Sequence, residues 1–372
     1  METIDVDYLY KKPLSPLLKW PGGKTDDWTH IMSDFPYLLP KNIDRYYEPF
    51  LGGGAVWLSV LAKKMHVNDL CQEVIHFYEL IRDQDDNFFG CINRMSQNWD
   101  LFAKIGQENY VALYSGTDKE KIKILQQYRK QLENEFFAPD CGGDYFDTIV
   151  KSLLSKIENI RKVENKKGQL SNDDLSQNIE GALKAGFYTV IRGVYNNHKK
   201  IDFLKVACFY FLRDYCYSSM FRYNSSGGFN VPYGGMSYNS RSPASRVEYW
   251  RNPDLLKHLQ ATSFYKLDFE VFLQKTKPSA NDFIFVDPPY DSEFSTYAQN
   301  TFGADEQRRL ADYLINKCDA RFLAIMKNTD LIRGLYSGKG KGVQCFTYDK
   351  TYAVSFKDRN NREVEHLVVA RL

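Results

Sequence analysis

A carboxylate, two prolines and an aromatic ring, Asp287-Pro288-Pro289-Tyr290, stand at the end of the apolar run FIFV. Proline offers no N–H and a fixed φ, so a strand must stop there. A plain turn satisfies that requirement. So does a site at the carboxyl end of a parallel strand, where open α/β sheets hold their ligands. Suppose the substrate is an exocyclic amine on a base. That nitrogen is a poor nucleophile because its lone pair is delocalised into the ring. Two acceptors on its N–H groups would draw it toward tetrahedral geometry and free the lone pair. The Asp287 carboxylate supplies one acceptor and offsets the positive charge that develops. The carbonyl of Pro288 supplies the other, aimed by the rigid prolines, and Tyr290 can stack on the base.

A second cluster needs an equally close backbone approach. In YYEPFLGGGAVW, Gly52-Gly53-Gly54 follow a short strand, where glycine allows a tight turn without a Cβ in the way of a ligand. The dinucleotide fingerprint G-x-G-x-x-G is incomplete, because Trp57 holds its third glycine position. Glu48 ends the first strand and Asp69 the second, at the place where an acid bonds ribose hydroxyls in Rossmann sheets. Two acids without a phosphate cradle suit a cationic or zwitterionic adenosine, of which S-adenosylmethionine is one. A helix-start glycine turn with a solvated acid fits the same residues, and the pattern alone leaves both readings open.

These clusters need a sheet to display them. Residues 1 to 75 contain the strand-like runs DRYYEPF and KKMHVNDL around the apolar stretch AVWLSVLAKK, which is of helical length, giving a β-turn-α-β opening. From residue 76 to 260 the texture is helical, with ALKAGFYTVIRGVY and IDFLKVACFYFLRDYCYSSMF as buried helices. RKVENKKGQLSNDDLSQN reads as a polar surface loop or a partly disordered insertion. From residue 261 the alternation returns: ATSFYKLDF and DFIFV as strands, DEQRRLADYLINKC as an amphipathic helix and RFLAIM as a strand. FTYDKTYAVSF and VEHLVVARL follow as a closing antiparallel pair.

The 372 residues are 43% hydrophobic and 26% charged, with a net charge of +2. A nucleic-acid partner therefore requires a local basic face. No apolar run approaches the ~18 residues of a membrane span, and METIDVDYLYKK lacks a signal core, so a cytoplasmic protein is expected. Seven cysteines without a CxxC pair suit reduced thiols and no structural zinc. The six histidines carry no metal-ligand spacing, which argues against a zinc hydrolase or deaminase.

Taken together and in this order, LKWPGGK (18–24), EPFLGGGAV, NDL (68–70), FRYNSSGGFNVPYG (221–234), VDPPY and FSTYAQNTFGADEQRRLADYL resemble the Dam-type DNA adenine-N6 methyltransferases across both ends of the chain. The resemblance implies an α/β fold: a Rossmann-like S-adenosylmethionine-dependent methyltransferase sheet with a helical DNA-recognition insert carrying a β-hairpin. The catalytic and cofactor-binding domain would comprise 1–75 and 261–372, and the target-recognition domain 76–260, with an extra insertion at about 136–186. Asp287, Pro288, Pro289 and Tyr290 would handle the target adenine. Trp20, Lys24, Glu48, Phe50, Gly52, Gly54, Asp69 and Asp268 would surround S-adenosylmethionine, with Asp69 on its ribose and Asp268 by its adenine. On double-stranded DNA, Tyr217 would wedge into the duplex and Arg222 would read a guanine edge, whose paired acceptors match the guanidinium fork. Lys19, Met220, Asn224 and Pro232 complete the DNA-binding set. The enzyme would act as a monomer or weak dimer on a flipped adenine, and a cognate restriction endonuclease is compatible with the resemblance.

The chain departs from the family at Pro21, where many relatives have alanine. It also departs at Met220, where GATC-reading relatives tend to have leucine, and at Met236, where an aromatic is expected. The target sequence is thus left open. Three rivals are weaker. Cytosine-N4 transfer shares the chemistry but not the hairpin and motif order. A metal nuclease built from Asp140 and Glu164-Asn165-Lys166 lacks a strand to display it. A catalytically inactive DNA-binding relative is at odds with the intact Asp-Pro-Pro-Tyr. Arg241, Arg246, Arg251 and the run KDRNNRE are solvated charges or phosphate contacts, and Asn328 is a pocket residue or a strand-end cap.

Overall fold

The computed structural model describes residues 9, 12–20, 22–132, 137, 144–289, 302–351 and 363–372. It divides into two compact units, residues 1–79 with 253–372, and residues 80–252. Tyr290 lies outside the described residues, as do Pro21, Asp140, all of FSTYAQNT and most of KDRNNRE.

The first unit is built on a seven-stranded sheet: β1 (Tyr46–Glu48), β2 (Met65–Asn68), β3 (Thr262–Tyr265), β4 (Phe283–Val286), β5 (Arg321–Lys327), β6 (Val343–Thr351) and β7 (Glu363–Arg371). Their order is β3-β2-β1-β4-β5-β7-β6. The first five strands pair in parallel, and β7 runs antiparallel to both β5 and β6. Every residue of β1 and β4 is buried, as parallel strands covered on both faces require. Hence these segments read as continuous apolar runs rather than alternating ones. Arg45, just before β1, forms a 2.7 Å ion pair with the fully buried Asp282 just before β4, which locks the amino ends of the two central strands.

Helices α1 (Thr25–Asp34), α2 (Gln72–Arg82), α10 (Pro253–Gln260), α11 (Phe269–Thr276), α12 (Ala304–Asp312) and α13 (Asp330–Tyr336) accompany the sheet. A turn of π-helix, Tyr313–Lys317, continues α12. Phe272, Leu273, Leu310, Leu314 and Tyr336 meet the side chains of β4 and β5 in one core cluster. Helix α1 is tied to the terminal strands: the Tyr348 hydroxyl donates to buried Asp27 at 2.5 Å and shares a 3.2 Å hydrogen bond with Nδ1 of buried His366.

The apolar stretch after the glycines is not the expected helix. Only Trp57–Ser59 forms a 3₁₀ turn, and Val60 bridges antiparallel to Leu9. Apolar side chains on all sides, the β-branched Val56 and Val60, and a Trp57 indole donating to Thr262 at 3.1 Å favour a buried turn over an amphipathic helix.

The second unit is helical: α3 (Asp86–Ser115), α4 (Asp118–Gln126), α5 (Arg129–Leu132), α6 (Tyr145–Lys167), α7 (Asn172–Asn197), α8 (Phe203–Tyr215) and α9 (Val247–Trp250). Its core is aromatic, with the Trp99 ring centroid 4.5 Å from that of Tyr215 and 5.5 Å from that of Phe211. The expected polar loop at 161–178 is also corrected. Helix α6 runs through to Lys167, and α7 begins at Asn172 behind a Ser171 cap that accepts from the Asp174 N–H at 3.1 Å. Only Gly168 to Ser171 turn, with Gly168 at φ +90°. Ile149, Leu153, Ile157 and Ile160 are buried at spacings of four, four and three, so the polar sequence is the solvent face of an amphipathic helix. Glu164, Asn165 and Lys166 therefore lie on a helix, with no strand to display them as a nuclease site.

Among the described residues, no helix is long and apolar enough to cross a membrane.

Candidate active site at the carboxyl ends of β1 and β4

The chain leaves β1 toward β2 and β3 on one side of the sheet, and continues from β4 to β5 on the other. The crevice between the carboxyl ends of β1 and β4 is thus the topological switch point, where such sheets bind ligands. Glu48 is the last residue of β1, and Asp287 follows the last residue of β4.

Glu48 is buried and accepts a 2.6 Å hydrogen bond from the Tyr46 hydroxyl. Burial holds its carboxyl well above the ordinary carboxylate range. The Tyr46 bond and the backbone N–H of Trp57 oppose that rise, and the nearby charges of Asp287 and Asp69 add to it.

The glycine turn is shaped by the second acid. Gly52 has φ +48° and Gly54 φ +66°, a region L side chains avoid. The Gly52 N–H donates to Asp69 Oδ2 and the Cys71 N–H to Asp69 Oδ1, both at 2.8 Å. A Cβ on Gly52 would lie 2.7 Å from the Trp20 indole nitrogen, and one on Gly53 would lie 2.8 Å from Trp20 Cβ. Trp20 therefore rests directly on the turn. Beside it, buried Asn68 donates to the carbonyls of Pro49 and Leu267 and accepts from the Leu267 N–H, which joins the exits of β1, β2 and β3.

At the end of β4, Lys24 brings its ammonium to 2.9 Å from Asp287 Oδ1 and also donates to the Gly22 carbonyl at 3.0 Å. Lys24 is nearly buried and Asp287 is partly exposed, so the pair is oriented by protein on one side and open on the other. Pro288 is buried and Pro289 exposed. Buried Gln307 on α12 donates its amide N–H to the Pro289 carbonyl at 3.1 Å.

Asp268 caps α11, accepting from the N–H groups of Glu270 and Val271, and pairs with Arg309 at 2.8 Å. Phe50 has its ring centroid 5.6 Å from that of Phe269 and 5.4 Å from that of Phe302. The structure thus brings Trp20, Lys24, Glu48, Gly52, Gly54, Asp69 and Asp287 into one crevice, with Phe50 and Asp268 linked to its rim through Phe269. Lys19 is half-buried on the same N-terminal segment.

The remaining predicted residues lie on the hairpin of the helical unit. It is held by the bridges Cys216 to Tyr233 and Tyr223 to Phe229, and by a reciprocal pair between the Asn196 side chain on α7 and the backbone of Phe229. Tyr217 is half exposed and precedes Ser218, whose φ is +52°. Arg222 is exposed, and its Nε donates to the Asn230 side chain at 3.3 Å. Met220 is partly exposed, and its N–H donates to the Tyr217 carbonyl. Asn224 and Pro232 also have internal tasks. The Asn224 side-chain oxygen accepts from the N–H groups of Ser226 and Gly228 and shapes the tip, while the Pro232 carbonyl accepts from the Tyr217 N–H.

Of the arginines read as solvated or phosphate-binding, Arg241 lies over the Tyr238 ring and donates to the Asp214 carbonyl, and Arg251 lies over Phe89. Asn328 bonds the backbone and side chain of Glu365 on β7, so of its two readings the strand-end one fits. Sequence reasoning gave no role to Gln307, Arg309, Tyr46 or Asn68. All four lie inside quoted segments (YYEPF, NDL and FSTYAQNTFGADEQRRLADYL), but those segments indicated no task for them.

The antiparallel β7 inserted between β5 and β6 departs from an all-parallel dinucleotide sheet, and with the glycine turn after β1 it makes the catalytic unit a Rossmann-like methyltransferase. Comparison with known proteins then specifies the family. The family model for the D12 class N6 adenine-specific DNA methyltransferases matches residues 20–353, and the chain belongs to that family. It is 30% identical over 242 residues to the type II methyltransferase M.CviBI of Paramecium bursaria Chlorella virus NC1A, covering 61% of this chain and 86% of that one. It is 25% identical over 339 residues to the type II methyltransferase M.MjaIII of Methanocaldococcus jannaschii, covering 87% and 89%. With the DNA adenine methylase of Haemophilus influenzae it shares 30% identity over 335 residues, covering 87% and 83%.

Proposed function

We propose that this adenine-N6 DNA methyltransferase uses S-adenosylmethionine and acts on an adenine flipped out of double-stranded DNA at a specific sequence. The observation that carries the reading is Asp287 at the switch point, oriented by Lys24 beside the glycine turn. The residues present fit the donor. A turn without Cβ atoms lies under Trp20, and the carboxylates of Asp69 and Asp287 complement a cationic molecule beside the buried carboxyl of Glu48. Asp69, held by the N–H groups of Gly52 and Cys71, is the acceptor for the ribose hydroxyls in this reading.

When bound, S-adenosylmethionine supplies a methyl group already activated by its sulfonium. Asp287 accepts one N–H of the adenine amine and the Pro288 carbonyl accepts the other, leaving the nitrogen lone pair directed at the methyl. The carboxylate stabilises the positive charge that develops there, and the amine proton leaves to solvent after transfer. Tyr290 stacks on the flipped base, whose amine is out of reach inside the duplex. The hairpin supplies recognition, with Tyr217 as a wedge, Arg222 on a guanine edge, and Met220, Asn224 and Pro232 as further DNA contacts; Lys19, on the N-terminal segment, adds another.

The test is methylation-sensitive sequencing of a plasmid propagated with this protein in a methylation-free host, beside an Asp287→Ala control. The expected result is N6-methyladenine at one recurring motif, absent from the control. Equal modification with Asp287→Ala would overturn the catalytic assignment, and no modification by soluble protein would point to DNA binding without turnover.

A further inference from the structure

We propose that Gln307 is a positioning residue for methyl transfer, holding through the Pro289 carbonyl the peptide plane that presents the Pro288 carbonyl to the amine. The inference rests on the reading of the Asp287-Pro288 pair given above.

Two successive prolines leave this backbone without an N–H donor by which a neighbour could fix it. The only polar handles are carbonyls, and one of them, on Pro288, is required for the substrate. Gln307 takes the other, with Nε2 donating to Pro289 O at 3.1 Å across eighteen residues of chain. The ring of Pro289 fixes φ, one of the two rotations between the carbonyls, so a hydrogen bond on the Pro289 carbonyl restricts how far the Pro288 carbonyl can turn.

The support is itself rigid. Gln307 is 1% exposed on the first turn of α12, where the Gly303 N–H donates to Glu306 Oε2 at 3.0 Å. The adjoining Phe302 lies against Phe50 and Phe269. Groups held this way keep the sub-ångström placement that reactive geometry needs.

A second observation concerns the other end of the amide. Gln307 Oε1 is buried and has no hydrogen-bond partner among the described residues. An unpaired buried acceptor costs stability that an apolar side chain of similar length would not. Among the described residues, the hydrogen bond this side chain makes is the one it donates to the catalytic loop.

The experiment measures single-turnover methyl transfer, S-adenosylmethionine affinity, duplex affinity and thermal midpoint for wild type, Gln307→Met, Gln307→Glu and Asp287→Ala. Gln307→Met removes the amide donor and acceptor at nearly constant volume. It is expected to leave both affinities within twofold and the midpoint equal or higher, and to slow transfer by about 10- to 100-fold, the scale of a misplaced reacting group. Gln307→Glu gains an O–H donor only when the introduced carboxyl is protonated, so its rate relative to wild type should recover as pH falls. This second variant keeps the test intact if the first fails to fold. A loss under threefold in Gln307→Met, a pH-independent ratio in Gln307→Glu, or a rate loss matched by lost affinity overturns the proposal. If Asp287→Ala still transfers methyl groups, the underlying reading of the site has failed. If Asp287→Ala is dead and the Gln307 variants are unaffected, only this inference has.

Discussion

Replacing Glu48 by glutamine should stabilise the ligand-free protein by an amount that grows with pH. Glu48 ends β1 in full burial, with the Tyr46 hydroxyl on it at 2.6 Å and the Asp287 and Asp69 carboxylates and the Tyr78 ring as its titratable neighbours. In the unfolded chain it ionises near its ordinary value of 4.5, whereas in the folded protein it keeps its proton to well above that. Below pH 4.5 both states are protonated and the side chain contributes no pH dependence. As pH rises toward the folded value, unfolding releases a proton that the native state retains, so native stability falls. The slope is about 1.4 kcal/mol per pH unit for as long as the folded state keeps the proton that the unfolded chain has lost. A glutamine does not titrate, and the remaining groups are common to both proteins. Urea denaturation midpoints at half-unit steps from pH 4.5 to 8 should therefore diverge, with the variant increasingly the more stable. Parallel curves would mean that Glu48 ionises as an exposed acid does, and would refute the account of its burial.

Two further perturbations test the same construction. Gly52→Ala forces an L side chain into φ +48° and drives its Cβ to 2.7 Å from the Trp20 ring. The backbone term alone is about 1–2 kcal/mol, and donor affinity measured by calorimetry should fall with it. Adding Trp20→Ala should recover the steric share of the stability loss but not the backbone share, and complete recovery would show that φ was unimportant. Arg222→Ala should cost roughly 1–3 kcal/mol of discrimination at a single base pair. Transfer rates on duplexes substituted one position at a time check this, and a uniform loss on all of them would reassign the arginine to the phosphate backbone.

The strands that build the site were legible because a covered parallel sheet leaves an unmistakable trace. DRYYEPF, KKMHVNDL and DFIFV are short apolar runs closed by proline, glycine or acid, and each became a strand whose end carries a site residue. The closing antiparallel pair was legible for a related reason, since VEHLVVARL is too β-branched for a comfortable helix. Periodicity failed where burial was complete or only one-sided. AVWLSVLAKK is apolar all round, so length alone suggested a helix, and β-branching and the contact with Thr262 decided otherwise. RKVENKKGQLSNDDLSQN was judged by composition, while its phase relative to Ile149, Leu153, Ile157 and Ile160 determined the structure. Arg309 and Gln307 sit in the quoted segment FSTYAQNTFGADEQRRLADYL, but their tasks were not legible because their partners, Asp268 and Pro289, lie forty-one and eighteen residues away in the chain. No local pattern encodes such pairings. Asn224 and Pro232 show a further limit: a motif identifies the residue, but the hydrogen bonds decide how much of it is spent on its own hairpin.

The interrupted sheet has a consequence for biosynthesis. The Arg45–Asp282 ion pair spans 237 residues, with the whole helical unit synthesised between its partners. At 5–20 residues per second, about 10–50 s separate the emergence of β1 from that of β4. Until β3 and β4 arrive, β1 and β2 are at most a two-stranded parallel ribbon with both edges open, which cannot persist in water. The helical unit, continuous in sequence and rich in local contacts, can fold in that interval. The sheet therefore completes only after the helical unit has been synthesised, and the apolar run after Gly54 stays without its β3 partner Thr262 until then.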